Sequence, residues 1–136
     1  ASARLYKDGI GSAFITGKSA AYTAVLYGIS EADFAEHYLP TCKGIDKDNL
    51  IGKFLFTVND YITGSPLLSK GYFRTVRHEQ KAPSDGTSHS EILWDMFTGG
   101  RNYTEILYSA ISPKSQLSLI KGIIGEFWNR YFAFGK

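Results

Sequence analysis

A chain of 136 residues with 43% hydrophobic side chains can build one core without staples, and its single cysteine, Cys42, excludes an intrachain disulfide and a cysteine-rich zinc site. Fifteen Lys and Arg against thirteen Asp and Glu leave a net charge of +2, too small by itself to mark a nucleic-acid binder. No apolar run reaches membrane-spanning length and no signal-peptide profile opens the chain, so a cytoplasmic location is expected, or secretion as part of a larger protein.

The elements read as one domain over residues 1–136, α+β in class. Residues 1–17 carry Gly9, Gly11 and Gly17 and read as an irregular segment or a short strand. They open Ala1-Ser2-Ala3 rather than on Met, as expected of a processed form or of a domain cut from a longer protein. An Ala-rich helix over 18–27 closes at Gly28. Ser30 caps a second helix, with Glu31 and Asp33 in its first turn, and Pro40 bounds it. Residues 49–62 fit two patterns. Leu50, Ile51, Phe54, Leu55, Val58 and Ile62 share a helical face, whereas Phe54, Phe56 and Val58 alternate as in a strand. Gly64-Ser65-Pro66 is a turn, and Gly71 to Arg77 reads as a strand that needs a partner. An antiparallel hairpin of 53–62 with 70–79 is therefore expected.

A polar loop follows over 80–88. Thr87 or Ser88 caps a helix whose apolar face is Ile92, Leu93, Met96 and Phe97, and Gly99-Gly100 stops it. Tyr103 to Ile111 is rich in Tyr, Ile and Thr and reads as a buried strand. Ser112 and Pro113 open the last helix, the main core element. Leu117, Ile120, Ile123, Ile124, Phe127 and Trp128 form its expected buried face. A short strand is expected over 131–134. The fold expected is thus a small antiparallel hairpin or sheet packed with several helices.

The charge is clustered. Lys70, Arg74, Arg77, His78 and Lys81 fall close together, opposed only by Glu79. This basic strand and the loop after it are the expected edge for an anionic protein surface or a nucleic acid. Arg74, Arg77, Lys81 and Lys70 would hold phosphate or carboxylate, and Tyr72 and Trp94 would stack. With 15% aromatic residues the chain also has the rings to line a homo-oligomer contact, as a self-assembling subunit would.

A second layout has chemical meaning. His89-Ser90-Glu91 opens one helix and Pro113 opens another about two dozen residues on. Over roughly residues 53–134 this resembles the cytidine deaminase-like superfamily. The resemblance implies a zinc-binding His89, a proton-shuttling Glu91, and two thiolates at the helix led by Pro113. Lys114 and Leu117 stand where those cysteines would be. One protein ligand does not hold zinc, so neither zinc chemistry nor a cofactor is expected. Metal-free acid–base work by His89 and Glu91, as in a small toxin or effector nuclease or deamidase, is the alternative.

Three weaker patterns remain. Cys42 with His89, oriented by Asp95 or Glu105, would suit thiol catalysis, without a local motif. Gly11 to Ser19 ends like a phosphate-binding loop but has five residues between its glycines where the motif needs four. His37, His78 and His89 have no metal-ligand spacing.

Overall fold

The computed structural model describes residues 9–81 and 88–132, and every regular element among them is a helix. In chain order these are α1 (Gly9–Leu26), α2 (Glu31–His37), α3 (Leu39–Gly64), α4 (Pro66–Glu79), α5 (His89–Thr98), α6 (Tyr103–Ala110) and α7 (Pro113–Phe132). The chain divides into two compact units, Ala1–Lys53 and Phe54–Lys136.

In the first unit, α1 ends where Gly28 takes a positive φ of 134°. The amides of Tyr27 and Gly28 both donate to Thr23 O at 3.0 Å. Ser30 then opens α2 with a capping box. Its hydroxyl accepts the Asp33 amide, and the Asp33 carboxylate accepts the Ser30 amide. The Tyr27 and His37 rings stack at 3.7 Å, and Ser19 Oγ meets Thr41 Oγ1 at 3.0 Å.

In the second unit, α4 and α7 pack antiparallel across a seam of small residues. Gly71 lies against Ile123, Thr75 against Gly122, and Arg74 over Gly125. Thr75 Oγ1 donates to Gly71 O at 3.1 Å, with Ser118 O of α7 at 3.4 Å. A Cβ on Gly122 would collide with Thr75 Oγ1 and lie 2.7 Å from Gly71 O. The backbones therefore approach because those side chains are missing or short. The apolar core lies beside this seam. Leu55, Phe56, Ile92, Met96, Tyr103 and Ile106 are buried there. Phe56 presents its ring to the edges of Phe97 at 5.7 Å and Tyr103 at 6.1 Å. Arg101 ties α5 to α6, with Nε donating to Asp95 Oδ2 at 2.6 Å and Nη1 to Ser109 Oγ at 2.9 Å.

The expected α+β class is corrected: no strand occurs among the described residues. The part of the opening segment that is described, 9–17, belongs to α1. The hairpin of 53–62 with 70–79 is two helices. Residues 53–62 continue α3, whose buried positions Cys42, Asn49, Gly52 and Phe56 recur at spacings of 7, 3 and 4. That helical stripe mixes Asn49 and Gly52 with Cys42 and Phe56, with Leu55 buried beside it, while Leu50 and Phe54 face outward. Residues 70–79 lie in α4, started by Ser65 and Pro66. There the fit of Gly71 and Thr75 against α7 overrides the strand propensity of Tyr72, Phe73, Thr75 and Val76. Tyr103 to Ala110 is α6, capped by Asn102, whose Oδ1 accepts the Glu105 amide at 2.8 Å.

The last helix is long as expected, but the other side of it is buried. Ser115 and Gly122 are inside, whereas Leu117, Ile120, Ile124, Phe127 and Trp128 are exposed. Tyr131 and Phe132 continue α7, and the rest of the expected final strand lies outside the described residues. Most of the 80–88 loop, Thr87 included, also lies outside them. Several boundary signals hold. Ser88 caps α5, Gly99 closes it at φ 73°, and Ser112 accepts the Ser115 amide at 3.3 Å.

Candidate functional site

The basic residues of 70–81 sit on a helix and its following turn, not on a strand. Successive spacings of 4, 3 and 4 separate Lys70, Arg74, Arg77 and Lys81. On α4 the first three fall within about 60° of one another around the axis, and Lys81 follows in the turn just beyond. All four are exposed. Lys70, Arg77 and Lys81 form no ion pair among the described residues. Arg74 is partly committed: Nη1 donates to Gly125 O at 3.0 Å and stands 4.0 Å from Glu126 Oε2.

Helix α7 extends this basic face. A cleft of about 380 Å³ between α4 and α7 is lined by Arg74, His78, Lys114 and Lys121, with Thr75 and Ser118 on its floor. A second hollow of about 530 Å³ lies further along the same pair of helices, beside Lys70, Arg74 and Arg77, with Glu126 and Asn129 opposite. Lys114 and Lys121 stand seven residues apart on the last helix, and that spacing is the signal in the sequence that pairs them on one side of it.

The two expected stacking residues meet at a different cleft, of about 460 Å³. Tyr72, Phe73, Val76, Leu93, Trp94 and Phe97 supply its apolar wall. Trp94 is 69% exposed and Phe73 53% exposed, so both offer ring surface. Tyr72 is buried, and burial, followed by the nearby Glu79 charge, holds its phenol well above its ordinary value. It is a wall of the cleft rather than a free platform.

His89 is only 4% exposed and is fully engaged in packing. Its Nε2 lies 2.8 Å from Ser115 O, and a carbonyl can only accept, so Nε2 carries the hydrogen. Its ring meets Tyr72 edge-on at 5.4 Å. Its backbone N–H donates to Glu79 Oε2 at 2.7 Å, while Glu79 Oε1 accepts from Ser118 Oγ at 2.7 Å. One carboxylate thus joins α4, α5 and α7. Glu91 lies two residues further on, with its amide held by Ser88 Oγ, and its Oε2 is buried without a hydrogen-bond partner. The structure places the starts of α5 and α7 side by side through His89 and Ser115, and no sheet accompanies them among the described residues.

The remaining patterns fall on helices of the described residues. Cys42 is buried in α3, within hydrogen-bond contact of Tyr38, which raises that phenol above its ordinary value. Gly11 to Ser19 lies inside α1, so most of its amides serve helical bonds. No cluster of metal-ligating side chains occurs among the described residues, and no described helix is long and apolar enough to cross a membrane.

No family model, curated protein or solved structure matches this chain.

Proposed function

We propose that the protein is a binding module that engages an anionic partner through the basic face of α4 and the adjoining edge of α7. The observation that carries this reading is the alignment of Lys70, Arg74 and Arg77 on one side of α4, with Arg74 also lining the cleft that Lys114 and Lys121 edge from α7. Exposed cations held in a groove focus a positive potential and release counterions when a polyanion docks. Glu126 and Glu79 are the acidic groups on these helices, and Glu79 is turned inward to His89 and Ser118.

The test is retention on heparin, a polyanion, across a salt gradient. The wild-type chain is expected to bind and to elute at higher salt than the Lys70→Glu/Arg77→Glu variant. Equal elution of the two, with helical content preserved, contradicts the reading.

A second reading, self-association, rests on the outer face of α7. Leu117, Ile120, Ile124, Phe127 and Tyr131 are exposed at spacings of 3, 4, 3 and 4, the repeat of a coiled-coil seam. A concentration-dependent sedimentation coefficient that Ile120→Glu/Ile124→Glu abolishes is the expected result. A monomer at all concentrations removes it.

A further inference from the structure

We infer that the anionic partner is a single-stranded nucleic acid, its phosphates on the basic face of α4 and an unpaired base in the aromatic cleft beside it. This rests on the reading of that face as an anion site and narrows its ligand.

The argument comes from how α4 divides its surface. Lys70, Arg74 and Arg77 occupy one stripe, and Phe73, Val76 and Gln80 the stripe next to it. Phe73 lines both the aromatic cleft and the hollow that holds Lys70 and Arg77. A ligand crossing α4 therefore meets cations and then rings. Single-stranded nucleic acid alternates phosphate with flat rings at short range, and its rings are free to turn outward. Sulfated polysaccharides and acidic peptides carry the charge without the rings. In a duplex the rings are stacked inside and paired.

The cleft suits a base in other ways. Trp94 and Phe73 expose ring faces at its mouth, and Phe97 and Leu93 stand behind. Asn59, Thr63, Gln80 and Ser90 edge the same space; the amides of Asn59 and Gln80 carry both donors and acceptors for the rim of a base, and the Thr63 hydroxyl, which donates to Asn59 O at 2.9 Å, keeps its lone pairs as acceptors. Four such groups around an apolar wall suit a ring with polar edges better than an aliphatic side chain.

The experiment uses the full chain carrying Trp128→Phe, so that Trp94 is the one tryptophan. Oligothymidylate, the duplex of the same length and heparin are titrated separately at one salt concentration. Oligothymidylate is expected to quench Trp94 and to bind more tightly than the duplex. Heparin is expected to compete for the protein without quenching. Trp94→Ala, which removes the fluorophore and is therefore read by the anisotropy of end-labelled oligothymidylate, should weaken that ligand by about tenfold and leave competition by heparin unchanged. Phe73→Ala gives an independent second test with the same expectation. Equal affinity for single strand and duplex, with no effect of either ring substitution, overturns the inference while leaving the anion-binding reading in place. Failure of all three polyanions to bind overturns both.

Discussion

The Glu79 carboxylate accepts the backbone N–H of His89 at 2.7 Å, and this bond fixes the start of α5 against the end of α4. The carboxylate sits at the N-terminus of α5, where the helix dipole favours negative charge and the first amides lack partners within the helix. The imidazole is in turn spent on Ser115 O. His89 is thereby a joint between α4, α5 and α7, with its Nε2 hydrogen already donated. Glu79→Ala leaves the His89 amide and the Ser118 hydroxyl without their acceptor. It should destabilise the second unit by about 1–3 kcal/mol, measured by urea denaturation.

His89→Ala separates the structural role from a role in binding. It removes a buried ring and its bond to α7, at a cost of about 2 kcal/mol. Heparin and oligothymidylate affinity of the folded variant should be unchanged. Loss of binding at full stability would contradict this assignment.

The α4–α7 seam makes a steric prediction. Gly122→Ala places a methyl group against Thr75 and within 2.7 Å of Gly71 O. Overpacking of this kind costs about 1–3 kcal/mol. Thr75→Ser keeps the hydroxyl and removes only a methyl group, so it should relieve little. Thr75→Ala should recover part of the loss in a double-mutant cycle, because the atom that collides is the Thr75 hydroxyl.

Tyr72 predicts an alkaline limit. Its phenol titrates higher folded than unfolded, because burial first, and the Glu79 charge second, oppose the phenolate. A group with a raised folded value contributes stability below its unfolded value, here near the ordinary 10.0, and that contribution is lost as pH rises above it. Stability should therefore fall above pH 10, and Tyr72→Phe should make the fall shallower. Identical alkaline profiles for the two proteins would show that another group sets the limit.

Boundaries were more legible in this sequence than the elements between them. Ser30 with Asp33, Ser88, Gly28, Gly99 and Ser112 act locally through one side-chain bond or one backbone angle, so they stand in the sequence as they stand in the fold. The element types over 53–62 and 70–79 were hidden because the buried stripes of these helices mix apolar with small and polar residues, and over 103–111 because a short run with buried Tyr103 and Ile106 fits strand propensity as well. Asn49 and Gly52 in α3, Gly71 and Thr75 in α4, and Ser115 and Gly122 in α7 face inward, while Leu50, Phe54, Ile120 and Ile124 face out. A period read from hydrophobic residues then follows the wrong side of the helix.

The basic residues carried a signal that settles their element. In a strand Lys70 and Arg74 would lie on the face opposite Arg77 and Lys81, whereas in a helix spacings of 4, 3 and 4 gather them. The pairing of His89 with the helix led by Pro113 was also visible as a layout. Its chemistry was not, because the bond to Ser115 O belongs to tertiary packing.

The most direct test of the central claim is the salt dependence of oligothymidylate binding, compared between the wild-type chain and Lys70→Glu/Arg77→Glu. Four phosphates on Lys70, Arg74, Arg77 and Lys81 predict a slope of log K against log salt of about −3 for the wild type. Removing two of those contacts should flatten it to about −1.4 or less. The same slope for both proteins, or affinity that salt does not change, would contradict binding through the basic face of α4.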